Sequence, residues 1–129
     1  RLLDVEARRA FAGLAYYLLH LGDVSAREAR IVYTMLGELS LTVEEFTPTE
    51  PFEQLAYRIV HPRARLASLL ELVRLARVDR ELTPEELEVV RWLAGVWGID
   101  APALTAVLTW GERFTQLQRE AETMIDRAT

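Results

Sequence analysis

The chain contains no cysteine, which excludes disulfides, thiolate metal ligands and cysteine nucleophiles. Lysine and asparagine are also absent, so all 15 of its Lys+Arg residues are arginine. Both absences fit a GC-rich coding sequence, and the shortage of amide side chains fits a thermophilic source. No apolar run approaches the ~20 residues that span a bilayer, and there is no signal-peptide pattern. Basic charge is in deficit: the formal net charge of −5 argues against a nonspecific grip on nucleic-acid phosphates or anionic lipid. The basic pairs Arg8/Arg9, Arg27/Arg30 and Arg63/Arg65 have acidic residues interleaved among them. No Ser-His-Asp order, zinc-binding helix motif or phosphate-cradling glycine loop occurs. The paired carboxylates Glu44-Glu45 and Glu85-Glu86 are sequence neighbours that do not face each other. A non-enzyme is expected.

What the chain does have is apolar material, at 50% of its residues, enough for one continuous core without staples. Its periodicity is helical throughout, and strand alternation is nowhere sustained. Leu3, Ala7, Ala10, Phe11, Leu14, Leu18 and Leu21 recur at spacings of three and four, predicting a helix from Leu2 to His20. The break at Leu21-Gly22-Asp23-Val24 leads to a second helix opened by Ser25 and running to about Leu41, in which Ser25 and Glu28 form a capping box. A proline-marked linker from Thr42 to about Pro51 precedes a short helix from Phe52 to Val60, ended by His61-Pro62. An apolar helix follows from about Arg63 to Val78. Thr83-Pro84-Glu85-Glu86 then opens another, with Thr83 as cap, Pro84 in the first turn, Glu86 closing the box and a Leu82/Leu87 staple.

That helix is apolar nearly all round and is expected to be largely buried, with Trp97-Gly98-Ile99 as its glycine-terminated end. The tail from Asp100 reads as one or two helices, broken or bent near Gly111. Tyr16, Tyr17, Trp92 and Trp97 are expected in the core rather than in a stacking platform. Trp110 and Phe114, one helical turn apart, are expected to dock back on the bundle, with a partner surface as the other option. His20 and His61, each at a helix end, are expected to be satisfied by the helix dipole and nearby carbonyls rather than to act as bases.

The chain also matches itself at an offset of 58 residues. In that register Gly22 falls on Arg80, Ser25 on Thr83, Glu28 on Glu86, Ile31 on Val89, Met35 on Leu93 and Gly37 on Gly95. The expected architecture is an all-α bundle of about six or seven helices in a single domain over 1–129. Its pseudo-repeats lie at about 10–41 and 68–99, with C-terminal helices over 100–129. Gly37 and Gly95 are expected to allow close helix approach.

The turn from Asp79 to Glu86 resembles the D-G-x-[IV]-x-x-x-E signature of the TerB-like family, which includes the tellurite-resistance protein TerB and the N-terminal module of the co-chaperone DjlA. Leu75 to Asp79 and Leu93 to Ile99 resemble the flanking helix ends of that family, and Leu21 to Glu28 resembles a second copy of the turn. The likeness spans about Phe11 to Ile99. Arg80 stands where the family prefers glycine, and Leu21 where it prefers aspartate. The resemblance implies a non-enzymatic interaction or sensing module of the bacterial stress (tellurite) response. It also implies a protein partner and weak binding of a divalent cation, calcium or similar, by Asp79 and Glu86, with Asp23 and Glu28 in the first turn. The other option is a regulatory domain of a longer, membrane-anchored DnaJ-type co-chaperone, motivated by a chain that opens at Arg1 rather than methionine. A cytoplasmic location is expected, at the inner membrane face if a flank or partner tethers it. Against cation binding, Glu28 and Glu86 are fully accounted for as capping residues. An EF-hand frame would also place its first ligand positions on Leu75 and Arg77, which cannot coordinate a cation.

Overall fold

The computed structural model describes residues 5–21, 48–78 and 81–128. The described residues form five helices and no strand: α1 (Val5–Leu19), α2 (Phe52–Arg58), α3 (Pro62–Ala76), α4 (Pro84–Val96) and α5 (Ala101–Arg127). The all-α expectation holds. The expected helix from Ser25 to about Leu41, together with Gly37, lies outside the described residues.

Local chemistry explains most of the helix ends. Pro51 precedes α2, and Pro62 sits in the first turn of α3, where a missing N–H costs nothing. His61 is the N-cap of α3, and its Nδ1 accepts from the Arg63 N–H at 3.2 Å. This histidine is therefore satisfied as an acceptor of a backbone amide, not by carbonyls. His20, in contrast, meets the Tyr16 carbonyl at 2.7 Å, as expected for a helix C-terminus. The capping box of α4 is present: Thr83 Oγ1 accepts from the Glu86 N–H at 3.1 Å, and Glu86 Oε1 accepts from the Thr83 N–H at 2.8 Å.

Gly98 ends α4 at φ +69°, with Ile99 N–H donating to the Ala94 carbonyl at 2.8 Å and Gly98 N–H to the Gly95 carbonyl at 3.3 Å. Those two bonds are the Schellman pattern, and glycine takes the left-handed position without a Cβ penalty. Asp100 then caps α5 by accepting from the Ala103 N–H at 2.9 Å. Two helices thus meet across a four-residue corner, Trp97 to Asp100.

The core lies where α1, α2, α3 and α4 meet. Residues 10–15 of α1 are buried in unbroken succession, so that helix is enclosed on every side. Its alanines and Gly13 make this close packing possible. A Cβ at Gly13 would stand 2.7 Å from Leu55 Cδ1 on α2. Leu69, Leu72, Val73 and Leu75 of α3 are almost fully buried and pack between α1, α4 and α5. Trp97 closes the floor: its indole N–H donates to the Ala56 carbonyl at 2.8 Å, one of the carbonyls that α2 leaves without an intrahelical partner.

Three expectations need correction. The C-terminal segment is one unbroken helix of 27 residues. It runs through Gly111 without a break, and that glycine is the point at which α5 crosses α3: a Cβ there would lie 2.7 Å from Val73 Cγ1 and 3.1 Å from Arg77 Cδ. Gly95 has no packing role, since a Cβ added to it meets nothing within 4 Å. Helix α4 is buried along one face only (Glu86, Val90, Leu93 and Ala94), and Trp92 on its outer side is 39% exposed. Apolar composition all round overstated its burial, because bundle geometry gives this helix one packed face.

Candidate interaction surface

Of the four carboxylates expected to hold a cation, only Glu86 falls among the described residues; Asp79, Asp23 and Glu28 lie outside them. Glu86 is 2% exposed and accepts the Thr83 N–H. Among the described residues no three Asp, Glu or His side chains come together as a metal cluster.

A polar knot and an aromatic chain sit elsewhere. Arg58 joins α2 to α1 and to the segment before α2. Its Nε and Nη2 donate to the Glu50 carboxylate at 2.6–2.9 Å, and its Nη1 donates to Glu6 at 2.7 Å. These bonds, Glu50 first and Glu6 next, raise the guanidinium pKa further above its ordinary value. A cleft of about 480 Å³ lies beside this knot, lined by Val5, Glu6, Arg9 and Leu55 among others. Its charges balance and the Arg58 donors are engaged, so it fits structural bracing better than capture of a ligand. An aromatic chain runs from His20, stacked on Tyr16 at 4.1 Å, through Tyr17 and Phe52 to Trp92, with the last two contacts at 5.8 Å. Tyr16 and Tyr17 are half-buried, and of the four aromatics expected in the core only Trp97 is fully so.

The most extended feature is α5. One stripe of this helix, through Leu104, Leu108, Gly111 and Thr115, packs on α3. Arg77 Nε donates to Thr115 Oγ1 at 3.2 Å, and Thr115 returns its own proton to the Gly111 carbonyl at 3.0 Å, which fixes the crossing. About 100° round the helix a second stripe recurs at alternating spacings of four and three: Trp110, Phe114, Leu117, Ala121, Met124 and Ala128. Trp110 and Phe114 form a ring pair at 5.6 Å, and the Arg74 guanidinium lies 5.8 Å from the Phe114 ring. Phe114 therefore docks partly, as expected, while Trp110 remains 36% exposed. Leu117 of this stripe is 63% exposed, and beyond Gln118 every described residue of α5 is exposed, with Met124 on the stripe and Ile125 beside it both at 68%. A lone exposed leucine is ordinary; a run of exposed apolar residues in heptad register makes this stripe the candidate surface.

The sequence reading passed over Leu117, Ala121 and Met124. Their 3/4 spacing was a usable signal, hidden by the expected bend at Gly111, which divided the stripe. No family model, no curated protein and no solved structure matches this chain. Among the described residues no helix is long and apolar enough to cross a membrane.

Proposed function

We propose that the chain is a non-enzymatic interaction module that engages a protein partner through the second stripe of α5. The observation that carries this reading is the overhang itself: helical residues past Gln118 with an apolar seam and no described residue packed over it. An isolated helical segment of that length is marginal in water, and a partner would supply the missing burial. The test is a photo-crosslinking amino acid placed at Leu117 in cells. Adducts that vanish when Met124 and Ile125 become glutamate support the module, and no adduct of any kind sinks it.

The TerB-like frame with its duplicated unit belongs to the same proposal. Its support is the match of helix bounds: shifted by 58 residues, α1 falls on 63–77, within one residue of α3. On this frame the bundle has six or seven helices and works in the cytoplasmic stress response. Weak cation binding through Asp79 and Glu86 is its least supported part, because Glu86 already serves the cap. Calorimetric titration with calcium, magnesium and zinc tests that part alone; no heat and no melting shift at millimolar ion removes it.

A further inference from the structure

We infer that the partner on α5 is a second copy of this chain, paired antiparallel over residues 117–128. This inference rests on the interaction-module reading above and specifies its occupant. Three observations select it. In heptad terms Leu117 and Met124 occupy d positions, and Ala121 and Ala128 occupy a positions. In an antiparallel pair, a faces d, so Leu117 meets Ala128 of the other copy and Ala121 meets Met124. Every layer then sets a large side chain against a small one, which lets two helices approach closely without voids. A parallel pair would stack Ala121 on Ala121 and Ala128 on Ala128, leaving two empty layers out of four.

Charge makes the same choice. The flanking g positions are Arg113, Glu120 and Arg127. Antiparallel g positions face one another, so Glu120 of each copy meets Arg127 of the other, giving two opposite-charge pairs per dimer. In the parallel arrangement Glu120 would face Ile125 and Arg113 would face Gln118, with no ion pair. Third, the overhang has the needed length. Past Gln118 every described residue of α5 is exposed, so the overlap lies beyond the turns of α5 that the described helices cover, and the two sets of described helices sit at opposite ends of it. Ile125, 68% exposed, would lie against the stem of Gln118 from the other copy.

Four layers make a small interface, below the usual range for stable complexes, so a concentration-dependent dimer in fast exchange is expected. Sedimentation velocity of the 129-residue chain across micromolar to millimolar concentration reads it directly. E120R sets arginine against arginine twice and is expected to weaken dimerisation about tenfold, and R127E to do the same with glutamates. The exchanged double variant E120R/R127E restores it. Both substituted positions are exposed on the overhang, and circular dichroism checks that folding is unchanged. Because the native chain has no cysteine, orientation is read by mixing L117C and A128C proteins. Antiparallel pairing predicts a mixed disulfide between them, whereas parallel pairing predicts one in A121C alone. A chain that stays monomeric at millimolar concentration, or a double variant as weak as the singles, overturns the inference. If adducts at Leu117 then still form with other proteins, the module reading survives without a second copy; if none form, both fall.

Discussion

Replacing Gly111 by alanine tests the α3–α5 crossing, and the same substitution at Gly95 is its control. In a helix interior, Gly→Ala gains about 1 kcal/mol of propensity. At Gly95 nothing lies within 4 Å of the new Cβ, so the gain appears nearly whole, at about 0.5–1 kcal/mol given the position in the last turn of α4. At Gly111 the new Cβ would lie 2.7 Å from Val73 Cγ1, roughly 1 Å inside ordinary carbon–carbon contact. Val73 is fully buried and, being β-branched on a helix, has one favoured rotamer, so it cannot swing away. Arg77 Cδ at 3.1 Å can retreat, but only by drawing Nε from Thr115 Oγ1. Overpacking of this kind costs about 1–3 kcal/mol, and the net expectation is a loss of about 1–2 kcal/mol after the propensity gain. Urea denaturation should place the two variants on opposite sides of the parent. Melting temperatures should move about 4 °C per kcal/mol, down for Gly111→Ala and up for Gly95→Ala. The double variant with Val73→Ala should show a favourable coupling of about 1 kcal/mol or more. Gly111→Ala as stabilising as Gly95→Ala would refute the close crossing and, with it, the direction in which α5 presents its outer stripe.

Three further outcomes are expected. Glu86→Ala should destabilise by about 1–2 kcal/mol, because the Thr83 N–H loses its acceptor; Glu86→Gln retains an acceptor oxygen and should lose less than half of that in the same urea assay. Trp97→Phe keeps most of the packing but strands the Ala56 carbonyl in the core, costing about 1–3 kcal/mol. Removing this most buried of the three tryptophans should also shift the mean fluorescence emission to the red. Ser68 is 1% exposed with a hydroxyl that has no hydrogen-bond partner, so Ser68→Ala should be neutral or stabilising by up to about 1 kcal/mol. A clear loss there would mean that the hydroxyl has a partner in solution.

The parts of the fold that follow from local chemistry were legible in the sequence. Thr83, Glu86, Pro84, Gly98 and Asp100 act within a few residues of themselves, and each marks the helix end its side chain or φ preference dictates. What depended on which way a helix faces was not. Gly95 and Gly111 look alike in the chain, each inside a helical stretch and each following an apolar residue; only the crossing of α3 by α5 gives one a packing role, while the other is exposed. Trp92 and Trp97 sit five residues apart on the same apolar stretch, yet one is 39% exposed and the other 4%. Periodicity reports that a face exists, not how many neighbours the bundle provides to cover it. The same limit hid the candidate surface. Helix α5 carries two apolar stripes about 100° apart, and among the described residues the first packs on α3 while the second does so only at Phe114. Leu117, Ala121 and Met124 continue in heptad register past the last turn that the described helices cover, and all three are exposed. On the proposed antiparallel pairing, each large residue there would meet a small one and Glu120 would meet Arg127, which would turn an excess of apolar residues into a specific seam.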